Sequence, residues 1–329
     1  MTPFSSPSAA VAERLPAFEG KVSFHWGFYF FIFSFCALFL CFHFWMGGLH
    51  PIHFIYACLL LALVLAHYQT RLYFIVAAPI FIHNILYDSF RYIPFHWLLP
   101  IHIAEPYHLD QRLFGVRVGD KVLLFHQFLQ QYYNQFLYVF AGLFYHIHEA
   151  MVFVFIFLLW KIRSLDLAFR FSMAFLVMNL LSIATYFFYP ASAPWYVDQH
   201  GFIQPLAPIF GSAAGLANFD RILSIHFSEG LYQLNPVVFG AIPSMHAGFA
   251  ALIWLYANQV GPILRWFFAF YFFGMCFSAL YLGHHYMVDL VIGVLYALVA
   301  YLIIEKTQKA RVQGLFYRLE NLVANPKKV

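Results

Sequence analysis

Two short stretches near the carboxyl end of this sequence hold residues that could react together. The first, Phe239-Gly240-Ala241-Ile242-Pro243-Ser244-Met245-His246, runs straight into an apolar segment. The second is Gly283-His284-His285-Tyr286-Met287-Val288-Asp289. His285 and Asp289 are four residues apart, so a helix presents both on one face, one turn apart. A carboxylate there can take the hydrogen of one imidazole nitrogen and leave the other as nucleophile or base. Pro243 suits a first helical turn, and the free amides of a helix start make a site for phosphate. One helical hairpin between the stretches returns both to the same side of the fold. Two helix starts, two imidazoles and one carboxylate then converge. That set can transfer a phosphoryl group: one His attacks phosphorus, the other protonates the leaving oxygen, and amides hold the remaining oxygens.

The elements that must position these residues lie in lipid. Of 329 residues, 63% are apolar, 22% aromatic and 10% charged, which excludes an ordinary soluble domain. The 18 Lys and Arg against 14 Asp and Glu form no long basic run, so no nucleic-acid partner is expected. Eight apolar runs are candidate crossings: Phe24–Met46, Ile52–Ala66, Leu72–Leu86, Ala141–Trp160, Leu167–Phe188, Ser244–Tyr256, Ile263–Leu282 and Tyr286–Ile304. Some are short enough that their ends must lie in protein. With the amino terminus inside, thirteen cations (Arg14, Lys21, Arg71, Lys161, Arg163, Arg170, Arg265, Lys306, Lys309, Arg311, Arg318, Lys327 and Lys328) fall on the inner side. Arg91, Arg112, Arg117, Lys121 and Arg221 fall outside, so both termini are expected to be cytoplasmic. The expected organisation is a cytoplasmic tail over 1–21, one transmembrane catalytic domain over 22–305, and a second tail over 306–329.

Two outer segments, Tyr87–Phe140 and Tyr189–Ile242, are long enough to be functional. Within the first, Lys121–Phe140 has a helical period of uncharged polar residues and reads as a helix at the outer interface. The alternative is the start of one overlong crossing. Cys36, Cys41, Cys58 and Cys276 are spaced for neither a disulfide framework nor a metal site and are expected in core packing. The chain has 17 histidines, a costly number inside a bilayer. His25, His43, His50, His53, His67 and His96 fall near crossing ends, where rings can sit at headgroup level. His146 and His148, beside Glu149, are suited to headgroup contact or to a satisfied interhelical bond. No ligand spacing for a metal occurs, and no metal or cofactor is expected.

Pro243-Ser244-Met245-His246 and Ser278 with His285 and Asp289 resemble the second and third motifs, PSxH and S-x6-H-x3-D, of the type-2 phosphatidic acid phosphatase superfamily. The first motif, K-x6-RP, is missing, and Ala279 stands where family phosphatases have Arg after the motif Ser. The chain is more similar to the fungal-type inositol phosphorylceramide synthases, which depart in the same way. Leu216–Asp220, Val237–His246 and Tyr281–Leu290 carry that similarity, with Pro190–Tyr196 and more loosely Tyr87–Arg91. It extends over about residues 85–305 and is specific from about 215 to 293.

The resemblance implies an all-α integral membrane protein of about eight transmembrane helices. Six of these would form a phosphatidic-acid-phosphatase-like core over about 72–305, with the interfacial helix outside it. It implies a lipid phosphotransferase of sphingolipid metabolism. Phosphoinositol would pass from phosphatidylinositol to His285 and then to a ceramide, with Asp289 orienting His285 and His246 as general acid. Ser244, Arg91 and His284 are expected to meet phosphate, with Arg221 and the Arg112–Lys121 group as competitors. Asp88, His148 and Ser278 are expected to support them, although Asp88 and Arg91 could equally be a local structural ion pair. The site would face the lumen of a Golgi membrane or the periplasmic side of a bacterial inner membrane. Hydrolysis of a lipid phosphate or pyrophosphate is the competing reading, and proton-coupled transport a more distant one.

Overall fold

The computed structural model describes residues 26–93, 99–162, 164–207 and 209–324. His25, His96, Arg14, Lys21, Arg163, Lys327, Lys328 and the amino-terminal tail lie outside them. Each of the eight apolar runs is helical. They form α1 (Trp26–Met46), α2 (Pro51–Ala66), α3 (Tyr68–Ser89), the pair α6 (Gln135–His146) and α7 (His148–Lys161), and α8 (Leu165–Phe188), then α12 (Met245–Ala257), α13 (Pro262–Tyr281) and α14 (Met287–Leu302). Among the described residues five helices are long and apolar enough to cross a membrane, and α6 with α7 makes a sixth if that pair, bent by 58°, is one span. The helices α2 and α12 are apolar but shorter, at 16 and 13 residues, in keeping with the expectation that some of the eight runs have ends that lie in protein.

Between them lie α4 (Ala104–Phe114), a hairpin of β1 (Val116–Val118) with β2 (Lys121–Leu123), α5 (Phe125–Gln130), α9 (Pro194–His200), α10 (Leu216–Leu223) and α11 (Ser228–Gln233). The single interfacial helix expected over Lys121–Phe140 is therefore three pieces: strand, short helix, and the start of α6. It is broken because Asn134 caps α6, accepting from the amides of Phe136 and Leu137, while Gln130 is drawn off to the Tyr281 carbonyl at 3.2 Å. The amphipathic outer helix is α4 instead, which packs against α14. A π-helical turn over Ile303–Gln308 leads into α15 (Lys309–Ala324), which packs on α8 and α3. At that end the buried Arg170 pairs with Glu305 and Asp166.

Six elements pack on one another as the core: α3, the α6–α7 pair, α8, α12, α13 and α14. Large rings fill it, with Phe155, Phe171, Phe175, Phe268 and Tyr256 wholly buried, while Phe30, Phe31, Phe44 and Trp45 of α1 point outward. Outward apolar rings suit a helix whose solvent is lipid. Cys41 and Cys58 also face outward, so of the expected core cysteines only Cys36 is buried, with Cys276 partly so.

The tightest contact is the one that serves the site. A Cβ on Gly293 of α14 would collide with the Ser244 carbonyl oxygen, and Gly248 of α12 lies against the Gly293 carbonyl. With no side chains between them, the backbones meet, and the Ser244 amide donates to the Asp289 carbonyl at 3.0 Å. Above them, the loops at His102, Ala191 and Gly240 are bridged side by side. The Gly283 and Leu282 carbonyls accept from the amides of Trp195 and Gly215, which pins the turn that carries His285.

Candidate active site

The two stretches meet. His246 Nδ1 and His285 Nε2 are 3.1 Å apart, and His285 Nδ1 lies 3.3 Å from Asp289 Oδ2 and 3.1 Å from the Ala241 carbonyl. Two acceptors at Nδ1 place the hydrogen there, so Nε2 carries the lone pair and accepts from His246. Asp289 is fully buried, and its Oδ2 is fixed by the Tyr286 amide at 2.8 Å. Burial pushes the His285 imidazole down to about 4, against the pull of the Ala241 carbonyl, so the ring is neutral at neutral pH. The Nε2 atom of His246 has no partner among the described residues, and its ring lines a cavity of about 630 Å³. That volume is on the scale of small-molecule sites.

The bend between α6 and α7 supplies one wall. His146 and His148 flank it, and their Nδ1 atoms bond the Gly142 and Tyr145 carbonyls at 2.7 and 2.8 Å. Side chains that bond carbonyls at a helix break fit the change of direction. The bend sets the Tyr145 ring 4.0 Å from His246 and 4.7 Å from His284, stacked on both, and brings the His148 ring within 4.2 Å of His246. The other nitrogen of His146 meets Ser228, so that residue is a satisfied interelement bond.

Arg91, Asp88, His148 and His284 all line the cavity with His246 and His285. His284 uses Nε2 on the Ala213 carbonyl at 3.1 Å, and burial pushes it down to about 3. Two expected site residues are placed otherwise. Ser244 is fully buried, and its hydroxyl is the N-cap of α12, accepting from the Ala247 amide at 3.4 Å, so it does not reach the cavity. Ser278, also buried, donates to the Gly274 carbonyl one turn back at 2.7 Å and touches neither reacting residue. Arg221 is held by Asn218 at 2.7 Å, and neither it nor Arg112, Arg117 or Lys121 lines the cavity.

Asp88 is paired with Arg91, as the local ion-pair reading expects, and both line the cavity wall. His43 and His53, expected at headgroup level, are instead fully buried beside Asp88. Their rings stack at 3.8 Å, and the three residues stand close enough to hold one ion. The hydrogen bonds speak for a different role. His53 Nδ1 accepts the His50 amide at 3.1 Å, which puts the hydrogen on Nε2, and Nε2 donates to Asp88 at 2.8 Å. A nitrogen that holds hydrogen has no lone pair for a metal. The group is a relay that fixes the carboxylate and, through it, Arg91.

Sequence reasoning missed Tyr145, Tyr186, Tyr232, His83, Asn179 and Trp195, all in the cavity wall. Polar residues inside apolar helices were the available signal for His83 and Asn179. The aromatics carried none, because a chain with 43 Phe, 22 Tyr and 7 Trp conceals the four useful rings.

The PAP2 superfamily model matches residues 117–303. The chain is 32% identical over 262 residues to a phosphoinositol dihydroceramide synthase of Bacteroides thetaiotaomicron, covering 78% of this chain and 85% of that protein. It is 31% identical over 258 residues to the inositol phosphorylceramide synthase catalytic subunit of Schizosaccharomyces pombe, covering 78% of this chain and 59% of the relative. The corresponding Saccharomyces cerevisiae subunit is 34% identical over 131 residues, 32% of its length. No solved structure matches significantly. With its matched region holding both histidines and Asp289, the chain belongs to the PAP2 superfamily, as a multi-pass membrane member.

Proposed function

We propose that this protein is a lipid phosphotransferase that moves phosphoinositol from phosphatidylinositol to the primary hydroxyl of a ceramide-class lipid. The observation that carries the reading is the hydrogen-bonded chain His246–His285–Asp289 at the wall of a large cavity, in a chain whose relatives bear synthase names. His285 Nε2 attacks phosphorus and forms an N–P bond as the bond to the diacylglycerol oxygen breaks. His246, protonated, gives its proton to that oxygen and diacylglycerol leaves. The neutral His246 then takes the proton of the ceramide hydroxyl, whose oxygen attacks phosphorus and releases His285. His285 stays correctly oriented because Asp289 and the Ala241 carbonyl hold its Nδ1 hydrogen throughout. Before attack the Nε2 lone pair is occupied by His246, so the arriving phosphate must part the two rings.

Arg91, held by Asp88, supplies positive charge to the phosphate oxygens. No metal enters these steps. Transfer is favoured over hydrolysis because the relatives are named as synthases, and the low exposure of His285, at 6%, agrees with that reading. The cation distribution supports cytoplasmic termini and a site on the lumenal or periplasmic side.

The test is purified protein in lipid vesicles, given labelled phosphatidylinositol with and without ceramide. Labelled inositol phosphorylceramide that requires ceramide, and is lost in His285→Ala, is the expected result. Release of inositol phosphate without acceptor would instead assign a hydrolase. Undiminished activity in His285→Ala would remove the covalent step.

A further inference from the structure

The cavity extends well beyond the reacting histidines. On the far side of Phe249, whose ring is 6.0 Å from His148 and 6.3 Å from His83, it is walled by α3 and α8. These two helices are membrane-spanning, yet they turn His83, Asn84, Tyr87, Asn179 and Ser182 toward it. Two of these have a polar atom that the protein does not satisfy. His83 is 7% exposed and its Nδ1 has no partner among the described residues; Asn179 is 1% exposed and its Oδ1 has none. The Asn179 amide nitrogen is already fixed on the Phe175 carbonyl at 2.8 Å, so its oxygen is oriented and not free to turn away. Tyr87 closes the chamber by bonding Asn235 at 3.1 Å.

Unpaired polar atoms this deep in a membrane domain are costly unless a ligand completes them. The ligand chemistry follows from what is offered. The chamber mixes donors and acceptors, and Asp88, Glu149, Arg91 and the reacting histidines share the cavity wall with it. A ring carrying several hydroxyls, each both donor and acceptor, fits such a mixture.

We propose that His83 and Asn179 form a hydroxyl-reading subsite that holds the cyclic polyol of the donor headgroup while its phosphate lies against His285. This rests on the reading of the protein as a phosphoinositol transferase. It makes the two residues determinants of donor specificity, not participants in bond making.

The experiment measures inhibition of phosphatidylinositol-dependent transfer by two soluble probes, inositol 1-phosphate and glycerol 3-phosphate, in wild type, His83→Phe, Asn179→Leu and His83→Gln. Wild type should bind inositol 1-phosphate far more tightly. His83→Phe and Asn179→Leu should each weaken inositol 1-phosphate by roughly 10- to 100-fold, as lost buried hydrogen bonds do, and leave glycerol 3-phosphate within about threefold. His83→Gln, which can still hydrogen-bond, should recover most of the preference. Because the ratio is read within each variant, partial misfolding does not imitate it. An unchanged ratio, or equal loss of both probes, overturns the subsite. A raised KM for ceramide with both inhibition constants intact overturns it in favour of an acceptor site. A wild-type protein that moves no phosphoinositol overturns the functional reading itself, a result no variant is needed to see.

Discussion

Asp110 should make this membrane protein less stable at neutral pH than at mildly acidic pH. The residue lies in α4, outside the membrane-spanning helices, and is fully buried. Its Oδ1 accepts the Val288 amide at 2.8 Å, capping from outside the helix that carries Asp289, while Oδ2 has no partner among the described residues. Burial pushes the carboxyl from 3.8 up to about 6; the nearby Asp289 adds to this and the Val288 and Met287 amides work against it. An acid with a raised folded value binds its proton more tightly when folded. Its favourable contribution is therefore complete below about pH 4 and is lost as pH rises through about 6. Two units at 1.36 kcal/mol each set a ceiling of about 3 kcal/mol, and solvent relaxation near the membrane surface brings the expected cost to roughly 1–2 kcal/mol. Asp110→Asn keeps an oxygen for the Val288 amide and removes the ionisation. Thermal unfolding in detergent at pH 7.5 should rise by a few degrees in this variant, with the gain fading as pH approaches 4. Transfer activity should stay within about twofold, whereas Asp110→Ala, which loses the cap, should cost about 1 kcal/mol and lower activity. A variant less stable than wild type at pH 7.5, or a difference independent of pH, would refute the reasoning and make the charge itself the useful feature.

Gly293→Ala puts a methyl group against the Ser244 carbonyl and must part α12 from α14. It should cost roughly 1–3 kcal/mol and most of the activity, read as a lower unfolding temperature together with a lost kcat; retention of both would show that the two helices tolerate separation. Asp289→Asn should depress kcat by roughly 100-fold or more with little change in KM, because it disturbs the His285 hydrogen and not the lipid contacts. Steady-state kinetics with phosphatidylinositol decides this, and an unchanged kcat would remove Asp289 from its orienting role.

Much of the fold was legible because the bilayer demands long apolar runs, and each of the eight runs became a helix. The convergence of His246, His285 and Asp289 was legible for a related reason: a charged residue and two imidazoles at helix starts are conspicuous in such a chain. What failed was assignment by motif position. Ser244 and Ser278 hold motif places, but a hydroxyl within reach of its own backbone bonds there first, one as a cap and one at i−4. His43 and His53 failed because their partner, Asp88, is 35 residues or more away in sequence, and only the packing of α1 on α2 and of α2 on α3 brings it near. The break near Asn134 failed because capping competed with a helical period that reads smoothly through it.

Tyr145 is the clearest case of a residue that no local pattern could have singled out. It precedes the bend by two positions, and only the 58° change of direction lays its ring flat against His246, at 14° between planes. The stack limits rotation of His246 about its side-chain bonds, and an electron-rich face favours a protonated ring, the state the proposed mechanism asks of His246. Such stacking is worth about 0.5–1.5 kcal/mol, which corresponds to a kcat lower by roughly 2- to 13-fold in Tyr145→Leu. The effect should appear in kcat and not in KM, since the ring supports the acid and need not hold the lipid. Tyr145→Phe keeps the face and loses only the phenol, which bonds Tyr232, so it should stay near wild type. If Phe and Leu fall together, the phenol and its Tyr232 bond are what matter; if neither falls, the rings are merely neighbours and the bend needs another explanation.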